Sequence, residues 1–457
     1  MSTAVVLFTR DLRVHDQPAL AAACRRVDRV VPLFVFDRGI LGSRYAAPNR
    51  VSALLASVEA LRTALRHRGG ELVVRTGSPI DEVHRLVVEV AADELHLSVD
   101  VSRCARRREE GLRRLARERL GGRLAVHSHP GIVLVAPGQV RPASADHFQV
   151  FSAYHRHWSS VEHRVPEPAP ARLPTPPVGD VGQLPDLADL AVGPTATHLP
   201  PAGEPAARTR ADAWFDGPVD DYDRTHDLLA EPGTSMLSPA LHLGTLSVAE
   251  LASRVDRDRP GPAAFLRQLC WRDFNHQLLA ARPDLPEVDL RSRHDDWLDE
   301  ADAIAAWREG RTGYPVVDAG MRQLRREGWM HNRARMITAS FLTKHLRVDW
   351  RIGAWHFMDH LVDGDLANNF AQWQWAAGTG TDTRPNRMYN PVTQGRRHDP
   401  DGAYVRRYVP ELAGVDPAHV HAPWQADPTL LPAAGDYPPP IVDHRAARER
   451  FLDARNS

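Results

Sequence analysis

The first third of the chain alternates between short runs of β-branched residues and longer stretches rich in Ala, Leu and Arg. Five apolar runs predict strands: AVVLF (4–8), VVPLFVFD (30–37), ELVVRTG (71–77), ELHLSVD (94–100) and LAVHSH (124–129). The stretches between them have helical periodicity, as in residues 49–70, which end at a Gly-Gly stop. Continuous apolar strands that alternate with helices are typical of a parallel, doubly wound sheet, which binds ligands at the carboxyl ends of its strands. No GxGxxG motif follows the first strand, which argues against an ordinary dinucleotide site there.

The pattern changes after a Pro-rich region. Residues 165–205 contain VPEPAPARLPTPPVGD and GPTATHLPPAGEP, which predict a linker with little regular structure. From about residue 209 to 360 the periodicity is helical, and ten of the eleven Trp residues lie in this second part. The sequence therefore predicts an α/β domain over 1–130, a linker over 131–208 and a helical domain over 209–457.

The composition limits the possible functions. The formal net charge is −1, so binding to a polyanion would need a local basic surface. Cys24, Cys104 and Cys270 are scattered, which excludes a four-cysteine cluster and fits a reducing cytosol. The N-terminus does not resemble a signal peptide, and no apolar stretch approaches the roughly 20 residues that span a bilayer. These observations predict a soluble cytoplasmic protein.

Residues 321–351 are strongly basic. They contain eight Arg or Lys residues against two acids, and a charge run of this kind is by itself most often a solvated helix face. The cations are Arg322, Arg325, Arg326, Arg333, Arg335, Lys344, Arg347 and Arg351. Trp329, Met330, His331 and Asn332 interrupt the run, and basic residues interleaved with aromatic rings and amides favour a nucleic-acid surface.

Two further segments have both an ordinary and a functional interpretation. In EPGTSMLSPALHLGTLS (231–247), Thr234, Ser235 and Ser238 precede a helical run; hydroxyls there usually cap the helix, but they can also bind phosphate. In FLRQLCWRDFNHQLL (265–279), Gln268 and Trp271 share one helix face. A buried core Trp is the common alternative to a binding role.

Several long motifs closely resemble the photolyase/cryptochrome family. They are VVLFTRDLRVHDQPAL (5–20), GTSMLSPALHLGTLS (233–247), TGYPVVDAGMRQLRREGWMHNRARMITASFLTKHLRVDWR (312–351), DGDLANNFAQWQWAAGTGTD (363–382) and RMYNPVTQG (387–395). The resemblance covers essentially the whole chain and is closest to microbial class I cyclobutane pyrimidine dimer (CPD) photolyases. It implies an α/β antenna domain, a long linker and a helical domain that holds FAD in a U shape.

The resemblance also implies a set of FAD contacts. Asp363 would pair with Arg335 beneath the isoalloxazine, Asp365 would accept a hydrogen bond from the ring, and Asn369 would face its N5 atom. The phosphates and ribityl chain would contact Tyr222, Thr234, Ser235, Leu237 and Ser238. Gln268, Arg272 and Asn332 would lie near the flavin or the adenine.

The tryptophans would divide into two groups. Trp297, Trp350 and Trp373 match the family's electron-transfer chain, which reduces the photoexcited flavin from the surface. The implied lesion-binding residues are Gln268, Trp271, Asn332, Arg333, Met336, Trp375 and Arg387. The implied reaction is photochemical: excited, fully reduced FAD gives an electron to a flipped-out dimer in UV-damaged DNA, single- or double-stranded, the cyclobutane ring splits and the electron returns. It requires no metal.

Several positions refine or question this interpretation. Met336 stands where (6-4) photolyases carry a histidine, which favours cyclobutane dimers. Gln268 stands where dimer-repairing enzymes usually have Glu; an amide can donate a hydrogen bond but not a proton, which predicts less efficient repair. For the antenna, Ser102 and Arg103 replace the Asn-Glu pair of folate-binding relatives, whereas Asp100 resembles deazaflavin-binding enzymes. The sequence therefore favours an 8-hydroxy-deazaflavin antenna over a folate, with an empty site as the alternative.

Three functions remain open at this stage. The first is a DNA-repair lyase, expected to be a monomer. The second is a blue-light receptor cryptochrome with weak or no repair activity, for which Gln268 is the strongest argument. The third is a DNA- or flavin-binding protein without repair; the presence of Trp271, Trp375, Asn332 and Met336 weighs against it. Signalling receptors usually add a long tail, whereas about sixty residues follow RMYNPVTQG, much like the closing segment of photolyases.

Overall fold

A five-stranded parallel sheet forms the N-terminal part of the protein. The computed structural model describes residues 1–293, 295–426 and 436–456. The strands are β1 (Thr3–Phe8), β2 (Arg29–Asp37), β3 (Val73–Gly77), β4 (Glu94–Ser98) and β5 (Ala125–His129). Their order is β3-β2-β1-β4-β5 and all pairs are parallel. The doubly wound sheet predicted from the apolar runs is thereby confirmed, and each run overlaps one strand.

Helices account for the remaining regular structure. Those up to residue 283 are α1 (Pro18–Arg26), α2 (Arg38–Leu41), α3 (Pro48–Arg66), α4 (Pro79–Glu89), α5 (Arg103–Glu118), α6 (Phe151–Trp158), α7 (Leu187–Leu190), α8 (Glu204–Phe215), α9 (Tyr222–Thr225), α10 (Ser238–Leu243), α11 (Val248–Ser253) and α12 (Pro260–Ala281). Those after it are α13 (Ala301–Glu309), α14 (Pro315–Glu327), α15 (Asn332–Ser340), α16 (Trp350–His360), α17 (Leu366–Ala377), α18 (Pro391–His398), α19 (Ala403–Tyr408) and α20 (His444–Asn456). A π-helical turn, Phe341–His345, follows α15.

The first of two compact units comprises Met1–Thr195, Pro201–Asp220 and Ser235–Pro283. Apolar side chains cover both faces of its sheet. Residues of α1 and α3 pack on one face, and residues of α4 and α5 on the other. In α3, Val58, Leu61 and Leu65 are fully buried, while Leu54 and Leu55 pack beside them. The helical periodicity predicted over residues 49–70 is thus that of a helix whose apolar residues face the core.

The Pro-rich segment follows the edge of the sheet in the first unit. The Val74 N–H donates to Val181 O at 2.8 Å, and the Val30 N–H donates to Pro174 O at 2.9 Å. Residues 165–205 contain only α7 and the start of α8. The linker predicted over 131–208 also contains α6. The compact units are each built from several segments and do not correspond one to one to the predicted domains. The domain limits 1–130, 131–208 and 209–457 therefore remain a prediction.

The second unit comprises Ala196–Pro200, Asp221–Thr234 and Asp284–Ser457. Its described residues form helices and turns, as the periodicity predicted. Here α14 packs against α15 and α19, and α16 packs against α17. Among the described residues, no helix is long and apolar enough to cross a membrane.

Candidate cofactor and DNA-lesion site

An ion pair joins α15 to the turn before α17 in the second unit. Arg335 Nη2 lies 2.8 Å from Asp363 Oδ2, and Arg335 Nε donates to Met330 O at 2.8 Å. The carboxylate is only 3% exposed. Its other oxygen, Oδ1, is buried without a hydrogen-bond partner. A buried carboxylate oxygen without a donor is costly, so the geometry fits a bound group that presents an N–H or O–H to Asp363, as a flavin does.

Asp365 starts α17. Its Oδ1 accepts hydrogen bonds from the Asn368 backbone N–H at 2.9 Å and from Asn368 Nδ2 at 2.8 Å, as an N-cap does. One turn later, Asn369 Nδ2 donates to Ala354 O at 3.0 Å and ties α17 to α16. The DGDLANN segment therefore fixes the start of α17 and holds Asp365 and Asn369, two predicted flavin contacts, in defined positions.

Of the three electron-transfer candidates, the outermost one is the most exposed. Trp373 is 3% exposed, Trp350 is fully buried and Trp297 is half-buried. Trp350 Nε1 donates to Asp289 Oδ1 at 2.9 Å, and the Arg351 guanidinium lies 4.6 Å from its ring centroid. The buried indoles are thus held by specific contacts.

Gly353 permits the position of Trp373. A Cβ atom on Gly353 would overlap the six-membered ring of Trp373 and lie 2.6 Å from Leu342 Cδ2. The ring also meets Phe357 edge-on at 4.9 Å and Trp307 at 6.1 Å between centroids. A side chain at position 353 would therefore displace Trp373.

Four predicted lesion-binding residues form two pairs in the second unit. Asn332 Nδ2 lies 3.8 Å from Met336 Sδ, one turn along α15. The Arg387 guanidinium lies 5.1 Å from the centroid of the half-buried Trp375 ring, within cation–π range. Each pair puts an apolar surface beside a hydrogen-bond donor.

Arg333, also predicted to bind the lesion, is already engaged. Its guanidinium makes two contacts to the Asp227 carboxylate, of which Nε to Oδ1 is 3.1 Å. Arg333 would therefore contact a DNA phosphate only by sharing or leaving Asp227. No local sequence pattern indicates this pair, because the partners are 106 positions apart.

The cations of the basic segment 321–351 are less available for binding DNA than their number suggested. Arg322, Arg333, Arg335 and Arg351 form ion pairs, and Lys344 is buried against two backbone carbonyls. Arg325, Arg326 and Arg347 hydrogen-bond to Glu309 O, His198 Nδ1 and Asp296 O. Much of this charge stabilises the second unit, and the solvated-face interpretation is wrong for Lys344 in particular.

In the first unit, helix α12 carries three of the residues predicted to contact the flavin or the lesion, namely Gln268, Trp271 and Arg272. Gln268 is exposed and Trp271 is half-buried. The Trp271 indole stacks on the Phe151 ring, with centroids 3.6 Å apart and 3° between planes. Arg272 is buried and donates to Ile132 O and, at 3.3 Å, to Leu241 O. These two contacts stabilise the unit itself, whereas Trp271 is held flat at its surface.

A buried carboxylate supports this platform. Asp273 accepts hydrogen bonds from Trp158 Nε1 at 2.9 Å and from the backbone N–H groups of Leu134 and Val135 at 3.0 and 2.9 Å. Burial raises the pKa of this carboxyl to about 6. Asp273 thereby joins α12 to the end of α6, the helix that provides Phe151.

The hydroxyl-rich segment does not form ordinary helix caps. Helix α10 begins at Ser238 after Leu237, and no side chain caps it. The preceding Met236 has a φ of 52°, which is uncommon for a residue other than Gly, Asn or Asp. Ser235 Oγ accepts only a 3.4 Å contact from the Leu237 N–H. The capping interpretation of Thr234, Ser235 and Ser238 is therefore not supported at α10, and the strained turn is the more informative feature.

Tyr222, the remaining predicted FAD contact, lies on α9 in the second unit. Burial raises the pKa of its phenol, and the Asp227 charge adds to that rise. Tyr222 is accordingly a neutral group that can donate or accept a hydrogen bond.

The antenna candidate lies at the carboxyl end of the sheet. Asp100 follows β4 and pairs with Arg10, which follows β1, at 3.5 Å. The strand order reverses between β1 and β4, which is the position where doubly wound sheets bind ligands. Asp100 Oδ1 also accepts from the Ser102 N–H at 3.0 Å, and Ser102 caps α5.

Comparison with known proteins identifies the family. Residues 4–175 match the DNA photolyase family model, and residues 265–457 match the FAD binding domain of DNA photolyase. The chain is 50% identical over 461 residues to a deoxyribodipyrimidine photo-lyase of Streptomyces griseus, covering 100% of this chain and 99% of the relative. FAD binding is thus supported by a family match as well as by the geometry around Asp363.

Solved structures give the same result. A bacterial class III photolyase from Agrobacterium tumefaciens superimposes with a TM-score of 0.92 at 34% identity, covering 100% of this chain and 97% of that one. A cryptochrome from Synechocystis sp. superimposes with a TM-score of 0.91 at 27% identity, covering 99% of both chains. The chain therefore belongs to the photolyase/cryptochrome family.

Proposed function

We propose that this protein is a light-dependent DNA-repair lyase that splits cyclobutane pyrimidine dimers in UV-damaged DNA. The observation that carries the proposal is the 50% identity, across the whole chain, to a relative named deoxyribodipyrimidine photo-lyase. The paired Trp375–Arg387 and stacked Trp271–Phe151 arrangements are consistent with it.

The proposal assigns the following side chains to FAD: Tyr222, Thr234, Ser235, Leu237, Ser238, Gln268, Arg272, Asn332, Arg335, Asp363, Asp365 and Asn369. When bound, fully reduced FAD supplies one electron to the lesion after absorbing blue light and takes it back after ring opening. Asp363 would accept a hydrogen bond from the cofactor through its unpartnered Oδ1, and the ion pair with Arg335 holds that carboxylate in place. The reaction needs no general acid–base pair, so these side chains serve to orient the cofactor and to exclude water from it.

The tryptophans keep the two roles inferred from the family. Trp373, Trp350 and Trp297 return the protein to its active state by passing electrons inward from the surface. Trp271 and Trp375 stack on the flipped-out dimer, and Asn332, Arg333, Met336 and Arg387 complete the pocket. A dimer is poorly stacked in the duplex, so its extrusion costs at most a few kcal/mol.

Met336 and Gln268 set the substrate and the efficiency. Methionine provides no proton donor of the kind that a histidine would supply, which favours cyclobutane dimers over (6-4) products. Gln268 is exposed on α12, one turn before Trp271, and its amide donates a hydrogen bond but no proton. We expect Gln268→Glu to raise the quantum yield of repair; an unchanged yield, with unchanged dimer affinity, would remove Gln268 from the reaction.

The proposal also covers the antenna and the setting. Asp100 at the turn after β4 would help bind an 8-hydroxy-deazaflavin in preference to a folate. The protein would act as a monomer in the cytoplasm, where Cys24, Cys104 and Cys270 stay reduced; all three are free thiols.

The deciding experiment is light-dependent repair. The purified protein with reduced FAD is mixed with an oligonucleotide that contains one thymine dimer, and blue light is compared with darkness. Recovery of intact thymines only in the light, and its loss in Trp375→Ala, supports the proposal. Absence of repair with bound, reduced FAD would instead support the second candidate, a blue-light receptor, which is favoured by Gln268 and by the likeness to a cryptochrome.

A further inference from the structure

Three histidines and a glutamate meet on one face of the sheet in the first unit. Glu94 and His96 lie two positions apart on β4, and His127 and His129 lie two positions apart on β5. The register pairs His96 with His127 directly. Because side chains two positions apart on a strand share a face, all four point the same way. The proposed repair reaction uses none of them.

The distances are those of a preassembled ligand set. Glu94 Oε2 lies 2.8 Å from His96 Nε2 and 3.5 Å from His127 Nε2. All three ligand atoms lie within 4.8 Å of one another, and Glu94, His96 and His127 form the one group of this kind found among the described residues. A tetrahedral ion with bonds of about 2.0–2.1 Å needs ligand atoms about 3.3 Å apart. Glu94 Oε2 and His127 Nε2 are already near that spacing, whereas Glu94 Oε2 and His96 Nε2 would have to separate slightly.

The second ring nitrogen of His96 is held in place. His96 Nδ1 lies 2.9 Å from His129 Nε2, and these two rings are stacked at 5.1 Å with 8° between their planes. A partner on the non-ligating nitrogen fixes the tautomer and orientation of a metal-binding histidine. His127 Nε2, in contrast, is buried and makes no hydrogen bond.

Exposure gives the cluster a closed and an open side. The His96 side chain is fully buried, that of Glu94 is 15% exposed and that of His127 is 31% exposed. A metal ion could enter past His127 and keep a water molecule or another small ligand on that side.

We propose that Glu94, His96 and His127 bind a divalent transition-metal ion such as Zn²⁺, with His129 as a positioning residue. Two imidazoles and one carboxylate suit Zn²⁺, Co²⁺, Ni²⁺ or Cu²⁺ better than Mg²⁺ or Ca²⁺, which prefer oxygen ligands.

Arg26 on α1 competes with the metal. Its Nε and Nη2 atoms lie 2.9 and 3.0 Å from the two Glu94 oxygens. Its side chain is half exposed, so the ion pair is weak enough to be displaced. Binding of the ion therefore moves Arg26 away from Glu94 Oε2, and removal of the Arg26 charge should tighten binding. A purely structural Arg26–Glu94–His96 network would give no such effect.

Zn²⁺ titration of the full-length protein by calorimetry tests the site. We expect the parent protein to bind one equivalent of Zn²⁺ tightly. The control variant His67→Asn, which changes an exposed histidine directly after α3, should bind the same equivalent equally tightly. His127→Asn should weaken that equivalent by more than about 100-fold, His129→Asn by about 10- to 100-fold, and Arg26→Gln should tighten it about two- to fivefold.

The same series can overturn the proposal. No tight equivalent in the parent protein, or equal Zn²⁺ affinity in His127→Asn and His67→Asn, would leave the cluster as a structural network only. Circular dichroism melting of each variant without metal separates lost binding from lost folding. If His127→Asn does not fold, Arg26→Gln decides the matter, because a structural network predicts unchanged or weaker Zn²⁺ binding in that variant.

Discussion

Helix α17 holds two tryptophans, two positions apart, in very different surroundings. Trp373 is 3% exposed and packs against Gly353, Phe357 and Trp307. Trp375 is half-buried, and the cationic Arg387 lies over its ring. Residues two apart on an α-helix are separated by about 200°, so the helix directs one indole into the unit and the other away from that packing.

The comparison teaches how one residue type can take two roles. The inner indole is fixed by shape on several sides, which suits a group that must exchange electrons without moving. The outer indole is fixed on one face by a cation and leaves surface for stacking. Changes to the inner region should therefore alter flavin reduction, and changes to the outer region should alter lesion binding.

Trp373→Phe gives the largest expected effect. Loss of the readily oxidised indole should abolish photoreduction of oxidised FAD by an external donor, measured by the loss of flavin absorbance under blue light. Repair by chemically reduced protein should persist, because the dimer receives its electron from the flavin. If photoreduction continues at the parent rate, the assignment of Trp373 to the electron path is wrong.

Trp375→Ala should give the opposite pattern. Loss of one stacked base costs about 1–3 kcal/mol, which corresponds to about a 5- to 150-fold weaker affinity for a dimer-containing oligonucleotide. Photoreduction of FAD should be unchanged. The affinity can be measured by fluorescence anisotropy in the dark, with an undamaged oligonucleotide as the reference. Equal affinity losses for both oligonucleotides would show that Trp375 does not recognise the lesion.

The strands of the sheet and the contacts of the indoles differ in how far the sequence predicts them. Apolar runs predict β1, β2 and β4 because these strands are buried on both faces, so their pattern is local, whereas β5 is only half-buried. The family motif likewise anticipates the Arg335–Asp363 pair. The side chains that hold the indoles in place could not be predicted in this way. Phe151 lies 120 positions before Trp271, and nothing in its own segment, FSAYHRHW (151–158), indicates that it stacks on a tryptophan.

Gly353 shows the same limit at a single position. A glycine within a helical run normally lowers confidence in the helix, yet here it lies in α16 because the Trp373 ring occupies the space of a side chain. The requirement comes from a residue on another helix, so local propensity carries no information about it. Similarly, the charge count of residues 321–351 could not show that Lys344 is buried.

Gly353→Ala tests whether shape holds the inner indole. Overlap of the new methyl group with the Trp373 ring should lower the free energy of unfolding by about 1–3 kcal/mol and slow photoreduction, without a specific loss of dimer affinity. The matched control is Gly353→Ala combined with Trp373→Phe, because phenylalanine lacks the overlapping ring. Part of the stability should return in this double variant; strictly additive losses in denaturant unfolding would show that the two positions are not coupled.

Lys344 connects the inner region to the segment that carries Arg387. Its Nζ donates to Pro385 O at 3.0 Å and to Arg387 O at 2.6 Å, and its side chain is almost completely buried. Burial lowers the pKa of this amine from the usual 10.5 to about 7. Between these two values the unfolded chain binds a proton that the native protein lacks, so the contribution of Lys344 to the free energy of unfolding rises with pH.

Lys344→Gln isolates this contribution, because the amide keeps an N–H donor but does not titrate. We expect the difference in unfolding free energy, parent minus variant, to increase from pH 7 to about pH 9 by no more than about 1.4 kcal/mol per pH unit. Urea unfolding at a series of pH values measures it. Other titrating groups are common to both proteins and cancel in the difference. Parallel curves would mean that Lys344 keeps its proton throughout, held there by the two carbonyls, and that the Arg387 segment is anchored by a charged amine.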